Sequence, residues 1–144
     1  MKKGILFFIL ICTLPLFVFS QPSNNVSVTV EITNVAVNGG KVYLALFANA
    51  EEFRKEEPFL AFEIESRSAA VSQVVSLPAG EYVVSGFQDA NGNLKLDYNF
   101  LGVPRELVAI SNYDGKGLPS KNFNRQKIKI DNTTGRVTIG LYKF

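Results

Sequence analysis

The chain has 144 residues, of which 15 are Lys or Arg, 13 are Asp or Glu and none is His, and it contains a single Cys. This length fits one domain with a sizeable core. Because histidine is absent, the usual general base is missing, and serine triads and zinc sites are not favoured. The near balance of charge, without a basic run, gives no electrostatic case for nucleic acid or an anionic membrane as a partner.

The N-terminus has the organisation of a secretory signal peptide. Lys2 and Lys3 precede an almost unbroken apolar run over residues 5–19. This run is shorter than the roughly 20 residues that a membrane-spanning helix needs. Val18 and Ser20 have the size expected at the two recognition positions of a cleavage site. We therefore expect cleavage after Ser20 and export to the periplasm, the cell surface or the medium.

Cleavage would leave one domain without a thiol and without net charge. The signal peptide at 1–20 includes Cys12, and no second apolar stretch of comparable length follows in the domain at 21–144. Lys2 and Lys3 are two of the 15 basic residues, so that 13 remain against 13 acidic residues. The domain is therefore expected to be neutral, free of disulfides and without a transmembrane segment.

Seven segments of the domain have the composition or the alternation of β-strands. Valine and isoleucine occupy every second position of 26–33, and 41–47 is apolar on both faces, which is typical of a central strand. The predicted strands cover residues 26–33, 41–47, 61–67, 71–77, 81–89, 126–130 and 136–142. The segment Asn132-Thr-Thr-Gly135 is expected to form the hairpin between the last two.

One short helix is predicted between the second and third strands. Asn49 has the character of an N-cap with Glu52 three residues later, and Pro58 ends the helical pattern. Such a helix is too short for a βαβ crossover. The pattern therefore predicts an all-β fold, an antiparallel immunoglobulin-like or prealbumin-like β-sandwich of about seven strands with one short helix.

The segment Leu77-Pro-Ala-Gly-Glu-Tyr82 places a tight turn directly before a strand. The hydroxyl of Tyr82 can reach back to the backbone of this turn, as in a tyrosine corner. The segment resembles the Leu-Pro-x-Gly-x-Tyr strand start of transthyretin-like and collagen-adhesin-B-type sandwiches. The resemblance implies a prealbumin-like fold and no particular activity.

Oxygen-bearing side chains occupy four alternating positions, with one gap at Lys95, from the end of the fifth predicted strand. Asp89, Asn91, Asn93 and Asp97 occupy positions 1, 3, 5 and 9 of a loop, and the backbone carbonyl of Lys95 is available at position 7. Calcium collects oxygen ligands in this manner, and so few charges would give the weak affinity of extracellular modules. The alternative is a metal-free turn, because Asn-Gly is a favoured hairpin turn and Asp and Asn cap such turns.

Residues 98–122 show no clear period and contain several glycines and prolines. Long connections in compact domains are usually functional or mobile. Tyr98, Phe100, Arg105 and Tyr113 are the candidate ligand contacts in this connection. The alternative is an irregular loop that packs its own aromatic side chains onto the edge of the sandwich.

The order of these features resembles the secreted bacterial family catalogued as domain of unknown function 2141. The resemblance rests on the motifs Gly40-Lys-Val-Tyr-Leu-Ala-Leu-Phe47, Leu77-Pro-Ala-Gly-Glu-Tyr82, Asp89-x-Asn-Gly-Asn-x-Lys-Leu-Asp97, Asn99-x-Leu-Gly-Val-Pro-Arg-Glu106 and Ser111-Asn112. It covers nearly all of the predicted domain. The resemblance implies location and fold, and it names no activity.

These observations favour a secreted, non-catalytic β-sandwich that binds a protein or carbohydrate partner, with calcium as the possible cofactor. One alternative is a purely structural accessory domain of an envelope assembly. Another is a carboxylate-based glycoside hydrolase that would use Glu106 near Asp97. We expect no enzyme activity, since the spacing of the carboxylates does not require one.

Overall fold

The computed structural model of the chain describes residues 24–144. The predicted signal peptide and its cleavage site lie outside the described residues. The described part contains eight strands and two short helices. In chain order these are β1 (Asn25–Thr33), β2 (Lys41–Phe47), α1 (Ala50–Lys55), β3 (Leu60–Ile64), β4 (Ala70–Pro78), β5 (Gly80–Asp89), β6 (Leu107–Ile110), α2 (Phe123–Gln126), β7 (Ile128–Ile130) and β8 (Arg136–Tyr142).

One continuous, strongly curved sheet forms the body of the protein. Its strand order is β3-β2-β5-β6-β8-β1-β4, and β7 pairs with β5 beside this path. The end strands β3 and β4 come into contact without pairing, so that the sheet is nearly a closed barrel. Neighbouring strands are antiparallel except β1 and β8, which are parallel.

The all-β class is confirmed, but the arrangement of the strands is not that of a purely antiparallel sandwich. The eighth strand is β6, and the second helix is α2; both have only four residues, too few to show a period in the sequence. In the parallel pair, β1 and β8 run in the same direction, with Thr29 beside Arg136 and Thr33 beside Gly140.

The predicted hairpin between the last two strands is wrong, although its turn forms. Thr134 donates its N–H to the carbonyl of Asp131 at 2.9 Å, as expected for a turn. However, β7 pairs with the first residues of β5, whereas β8 pairs with β6 and β1. The reason is the length of β5: β6 covers only Ser85–Gln88 on this edge, and β7 pairs with the remaining Gly80–Tyr82.

Alternating side chains of the strands fill the interior of the curved sheet. The largest fully buried ones include Ile32, Leu46, Leu77, Ile130 and Leu141. A smaller cluster lies on the opposite face of the sheet, where Phe47, Val83 and Ile110 are covered by Phe53 of α1 and Phe123 of α2. The prediction of a central strand over 41–47 is confirmed, since β2 pairs with β3 on one side and β5 on the other.

Two local predictions explain how the elements begin. Asn49 caps α1 by accepting hydrogen bonds from the backbone N–H groups of Glu51 and Glu52, at 3.0 and 2.9 Å. The tyrosine corner is also confirmed, because the hydroxyl of Tyr82 donates to the carbonyl of Pro78 at 2.8 Å. Neither helix within residues 24–144 has the length and the apolar character to cross a membrane.

Candidate functional site

The connection from Asp89 to Glu106 joins β5 to β6 and contains most of the predicted site residues. It consists of two parts with separate hydrogen bonds. A loop over 89–97 curls around the carboxylate of Asp89, and a hairpin over 97–105 projects beyond it. The two parts share Asp97.

Asp89 is the centre of the first part of this connection. It is only 2% exposed, and its carboxylate accepts hydrogen bonds from the backbone N–H groups of Gly92 (2.8 Å), Asn93 (3.2 Å) and Leu94 (2.8 Å). The chain turns tightly enough to do this because Gly92 and Leu94 have φ values of 72° and 63°. A carboxylate that replaces lost water with three N–H donors is a stable anchor for the loop.

Three of the predicted metal ligands meet at one point. The side-chain amides of Asn91 and Asn93 both donate to Oδ2 of Asp97, at 2.7 and 2.9 Å. The amide oxygens accept backbone hydrogen bonds instead: Oδ1 of Asn91 from Asn93 (3.1 Å) and Oδ1 of Asn93 from Lys95 (2.9 Å). The structure therefore brings Asn91, Asn93 and Asp97 together, directs Asp89 beneath the loop, and leaves the Lys95 side chain exposed.

The chemistry of this point fits a calcium ion only after rearrangement. A cation beside Asp97 would need the amides of Asn91 and Asn93 to turn their oxygens towards it. Turning them would break the two backbone hydrogen bonds that those oxygens accept. Within residues 24–144, no group of three or more His, Cys, Asp or Glu side chains is placed to hold a metal.

Glu106 anchors the other end of the connection. It is 6% exposed, and its two oxygens accept the backbone N–H groups of Ala90 (2.9 Å) and Asp97 (3.3 Å). The backbone N–H of Arg105 donates to the carbonyl of Asp97 at 2.8 Å. Glu106 thus lies near Asp97, as the hydrolase alternative requires, but its carboxylate is occupied by the backbone of the loop.

Hydrogen bonds to Asn99 hold the tip of the hairpin. Its side-chain oxygen accepts the N–H groups of Leu101 (2.9 Å) and Val103 (3.0 Å), and its carbonyl accepts the N–H of Gly102 (3.0 Å). The two residues at the turn project away from the protein: Phe100 is 93% exposed and Leu101 is 71% exposed. The hairpin therefore presents two large apolar side chains on a hydrogen-bonded turn.

The predicted ligand contacts do not form one cluster. Tyr98 and Arg105 lie on opposite sides of the hairpin stem, where Tyr98 forms a β-bridge with Pro104. Burial, and then the carboxylate of Glu56, raises the pKa of Tyr98. Arg105 is exposed, with no ion pair within residues 24–144.

Tyr113 lies after β6, in an aromatic group with Tyr142 and Phe144. The ring centroids are 5.0 and 5.7 Å apart, and the Tyr113 hydroxyl donates to the carbonyl of Gly117. A shallow depression of about 370 Å³ is bordered by this group and by Val103 of the hairpin. The hairpin and Tyr113 thus face a common depression, whereas the other predicted contacts point elsewhere.

Comparison with family models shows the family of the chain. The family described as "Uncharacterized protein conserved in bacteria (DUF2141)" matches residues 30–139. The chain belongs to the DUF2141 family. The match includes the whole connection between β5 and β6. No curated protein and no solved structure matched the chain.

Two polar residues of this DUF2141 protein have structural roles that its sequence does not predict, Asn99 in the hairpin and Gln88 in β5. The sequence places Asn99 only in a family motif, although an Asn at the first position of a turn is a recognised capping signal. Gln88 was read only as part of a strand. It is 2% exposed. Its side-chain oxygen accepts the N–H of Ala36 at 2.9 Å, and its side-chain nitrogen donates to the carbonyl of Ala36 at 2.7 Å. A polar residue on the inward side of an apolar strand was the available signal.

Proposed function

We propose that this DUF2141 protein is an exported, non-catalytic binding module whose hairpin tip contacts a partner protein. The observation that carries the proposal is the exposure of Phe100 and Leu101, at 93% and 71%, on a hydrogen-bonded turn. Exposed apolar groups that lie together often mark interaction sites. Here the two are adjacent in sequence and at the most projecting part of the connection.

The order of the tip adds to the case for binding. Asn99 fixes the turn itself, and the buried carboxylates of Asp89 and Glu106 fix the loop beneath it. Binding through a preorganised loop loses less conformational entropy than binding through a mobile one. Aromatic and large aliphatic anchors of this kind fill pockets in the partner's surface. We therefore propose an apolar pocket on a protein as the complementary surface.

A non-catalytic role agrees with the burial and the hydrogen bonding of the carboxylates of Asp89 and Glu106. Hydrolysis by a carboxylate pair needs one group as acid and the other as base or nucleophile. Asp89 and Glu106 are both buried and both accept backbone N–H groups. The chain has no histidine to take over the transfer of protons.

Export and a prealbumin-like ancestry complete the proposal. The basic pair Lys2 and Lys3 and the apolar run over 5–19 support a signal peptide and a location outside the cytoplasm. The hydrogen bond between Tyr82 and Pro78 supports a relationship to sandwiches with a tyrosine corner.

The test compares binding of the wild type with a tip variant and a matched control. The purified protein, F100A/L101A and V37A would be applied to the same protein and glycan arrays. Val37 is also an exposed apolar residue, but it lies in the turn before β2. We expect protein ligands that F100A/L101A loses and V37A keeps. Equal binding by all three, or no ligand for the wild type, would contradict the proposal and favour a purely structural role; glycan ligands alone would also contradict it.

We further propose calcium as a weak ligand of the loop, on the observation that Asn91, Asn93 and Asp97 converge on one point. Because the amides must rotate and Asp97 is the one carboxylate there, we expect a dissociation constant of about 10⁻³ M. Millimolar calcium should raise the Tm of the wild type and of D114N, whose carboxylate lies on another loop, but not that of D97N. An unchanged wild-type Tm would leave the loop as a metal-free turn.

A further inference from the structure

We propose that two copies of this chain pair through the free edge of β4, antiparallel and about a two-fold axis at Val74. β4 is an end strand of the sheet and pairs with β1 alone among the described strands. It contacts β3, but no hydrogen-bonded register joins these two strands within residues 24–144. A further strand can therefore be added at this edge.

The hydrogen bonds around β1 show which residues of β4 face the free edge. Thr29 lies opposite Val74 but donates its N–H to Gly135, on the far side of β1, at 3.1 Å. The carbonyl of Val74 accepts a hydrogen bond from the side chain of Gln73 at 3.1 Å. Because backbone groups alternate along a strand, the even-numbered residues of β4 direct their N–H and C=O groups outwards.

The composition of the centre of this edge, residues 72–76, does not oppose pairing, whereas Pro78 at its end has no N–H to donate. Ser72, Val74 and Ser76 are exposed, with Val74 at 60%, and none of the 9 residues of β4 is charged. Proteins usually protect edge strands with charges or with short length. The other end strand, β3, has both protections: it has 5 residues, and it carries Glu63, which pairs with Lys41 at 2.5 Å.

A second copy fits the centre of this edge because the outward-directed residues Ser72, Val74 and Ser76 have the same order in both directions. A two-fold axis at Val74 places the two Val74 residues opposite each other and sets each Ser72 against the Ser76 of the second copy. Each of these residues directs its N–H and C=O groups at the other copy, as in an antiparallel ladder. Repulsion between the copies is small, because the chain after the signal peptide is neutral by sequence.

A side-chain hydrogen bond competes with pairing at the centre of this edge. The amide of Gln73 occupies the carbonyl of Val74, which a second copy would use. This bond joins adjacent, exposed residues, so that water replaces it with little change in free energy. Gln73 therefore limits pairing without preventing it.

The first experiment measures sedimentation velocity over a concentration series up to the millimolar range. We expect the wild type to reach a dimer, and V74K to raise the dissociation constant by about tenfold or more, because two like charges would face each other. A61K introduces the same charge on β3 and should behave as the wild type. Q73A removes the competing amide and should lower the dissociation constant. Far-UV circular dichroism confirms that each variant is folded.

The second experiment tests the register with cysteine pairs in a C12S background. V74C should form a disulfide between copies under mild oxidation, because opposed residues of a strand pair lie about 5.5 Å apart. S72C should not, since the two Ser72 positions would be about 14 Å apart in this register.

These outcomes decide the proposal. A wild type that stays monomeric, a dimer that V74K leaves intact, or cross-linking of S72C in place of V74C would overturn it. Dimer loss in V74K together with selective cross-linking of V74C would support it. The result is independent of the hairpin tip, so that it stands or falls apart from the proposed binding function.

Discussion

Two buried carboxylates, Asp89 and Glu106, hold backbone N–H groups rather than a ligand. The sequence suggested chemistry for both: Asp89 as the first residue of a metal loop and Glu106 as the partner in a hydrolase. In the structure each accepts hydrogen bonds from residues of the connection that it closes. A charged acceptor buried with several donors contributes more than a neutral hydrogen bond does.

Replacement of Asp89 by Asn tests the role of this anchor. The Asn side chain keeps one acceptor but presents an N–H₂ group to an N–H of the loop. We expect D89N to lower the free energy of unfolding by about 2 kcal/mol, measured by urea denaturation. D114N is the matched control, because Asp114 is exposed and its carboxylate accepts one local hydrogen bond, from Lys116 at 3.1 Å. Its effect should stay below about 0.5 kcal/mol, and similar losses in both variants would contradict the anchoring role.

Asp131 makes stability depend on acid pH. Its carboxylate accepts hydrogen bonds from the hydroxyl and the N–H of Thr133, at 2.6 and 2.9 Å, and forms an ion pair with Lys129 at 3.1 Å. The Thr133 hydroxyl, then its N–H and then Lys129 hold the pKa of Asp131 far below its ordinary value of 3.8. The group therefore contributes stability above pH 3.8, which is lost progressively as the pH falls below that value.

The corresponding measurement is the Tm of the wild type and of D131N as a function of pH. We expect the wild type to have the higher Tm near neutral pH and the two curves to converge as the pH falls below 3.8. A gap that stays constant over the acid range would show that Asp131 does not stay ionised through these contacts.

At one position, the pairing of β2 with β5 leaves no space for a side chain. Gly86 of β5 lies opposite Leu44 of β2. A Cβ atom on Gly86 would lie 2.3 Å from the carbonyl oxygen of Tyr43 and 2.5 Å from Cδ2 of Leu44. These distances leave no room for a methyl group, so the strands would have to separate.

We expect G86A to lower the free energy of unfolding by about 1–3 kcal/mol, measured by urea denaturation, because the side chain overpacks the sheet. G135A is the control, since nothing lies within 4 Å of a Cβ at Gly135 and its φ is not positive. Its effect should be within about 0.5 kcal/mol. An unchanged G86A protein would show that β2 can move away from β5 without loss.

For the whole molecule, the sequence predicted elements better than their partners. The bounds of β2 and β8 agree with the predicted 41–47 and 136–142, because long amphipathic or apolar strands have a clear period. Pairing depends on contacts distant in sequence, and no local pattern indicates that β7 joins β5 or that β8 joins β1. Short elements such as β6 form because a long neighbouring strand leaves an edge to pair with.

Some features of the candidate site could likewise be predicted from the sequence, and others could not. The alternation of oxygen-bearing side chains predicts that Asn91, Asn93 and Asp97 meet, and the structure brings those three side chains into contact. Burial of Asp89 could not be read from this spacing, because it depends on where β5 ends relative to the core. The exposure of Phe100 could not be predicted either, since Phe is more often buried than exposed.

The parallel pairing of β1 with β8 also sets the order in which the domain can form. Thr29 of β1 pairs with Arg136 of β8. β1 therefore has its second neighbour only after β8 has been synthesised. Contacts between such distant segments slow folding, because a long loop must close before they stabilise the chain. Until then, one edge of β1 remains open to other chains. Pairing of β8 with β1 is thus the step that ends this exposure.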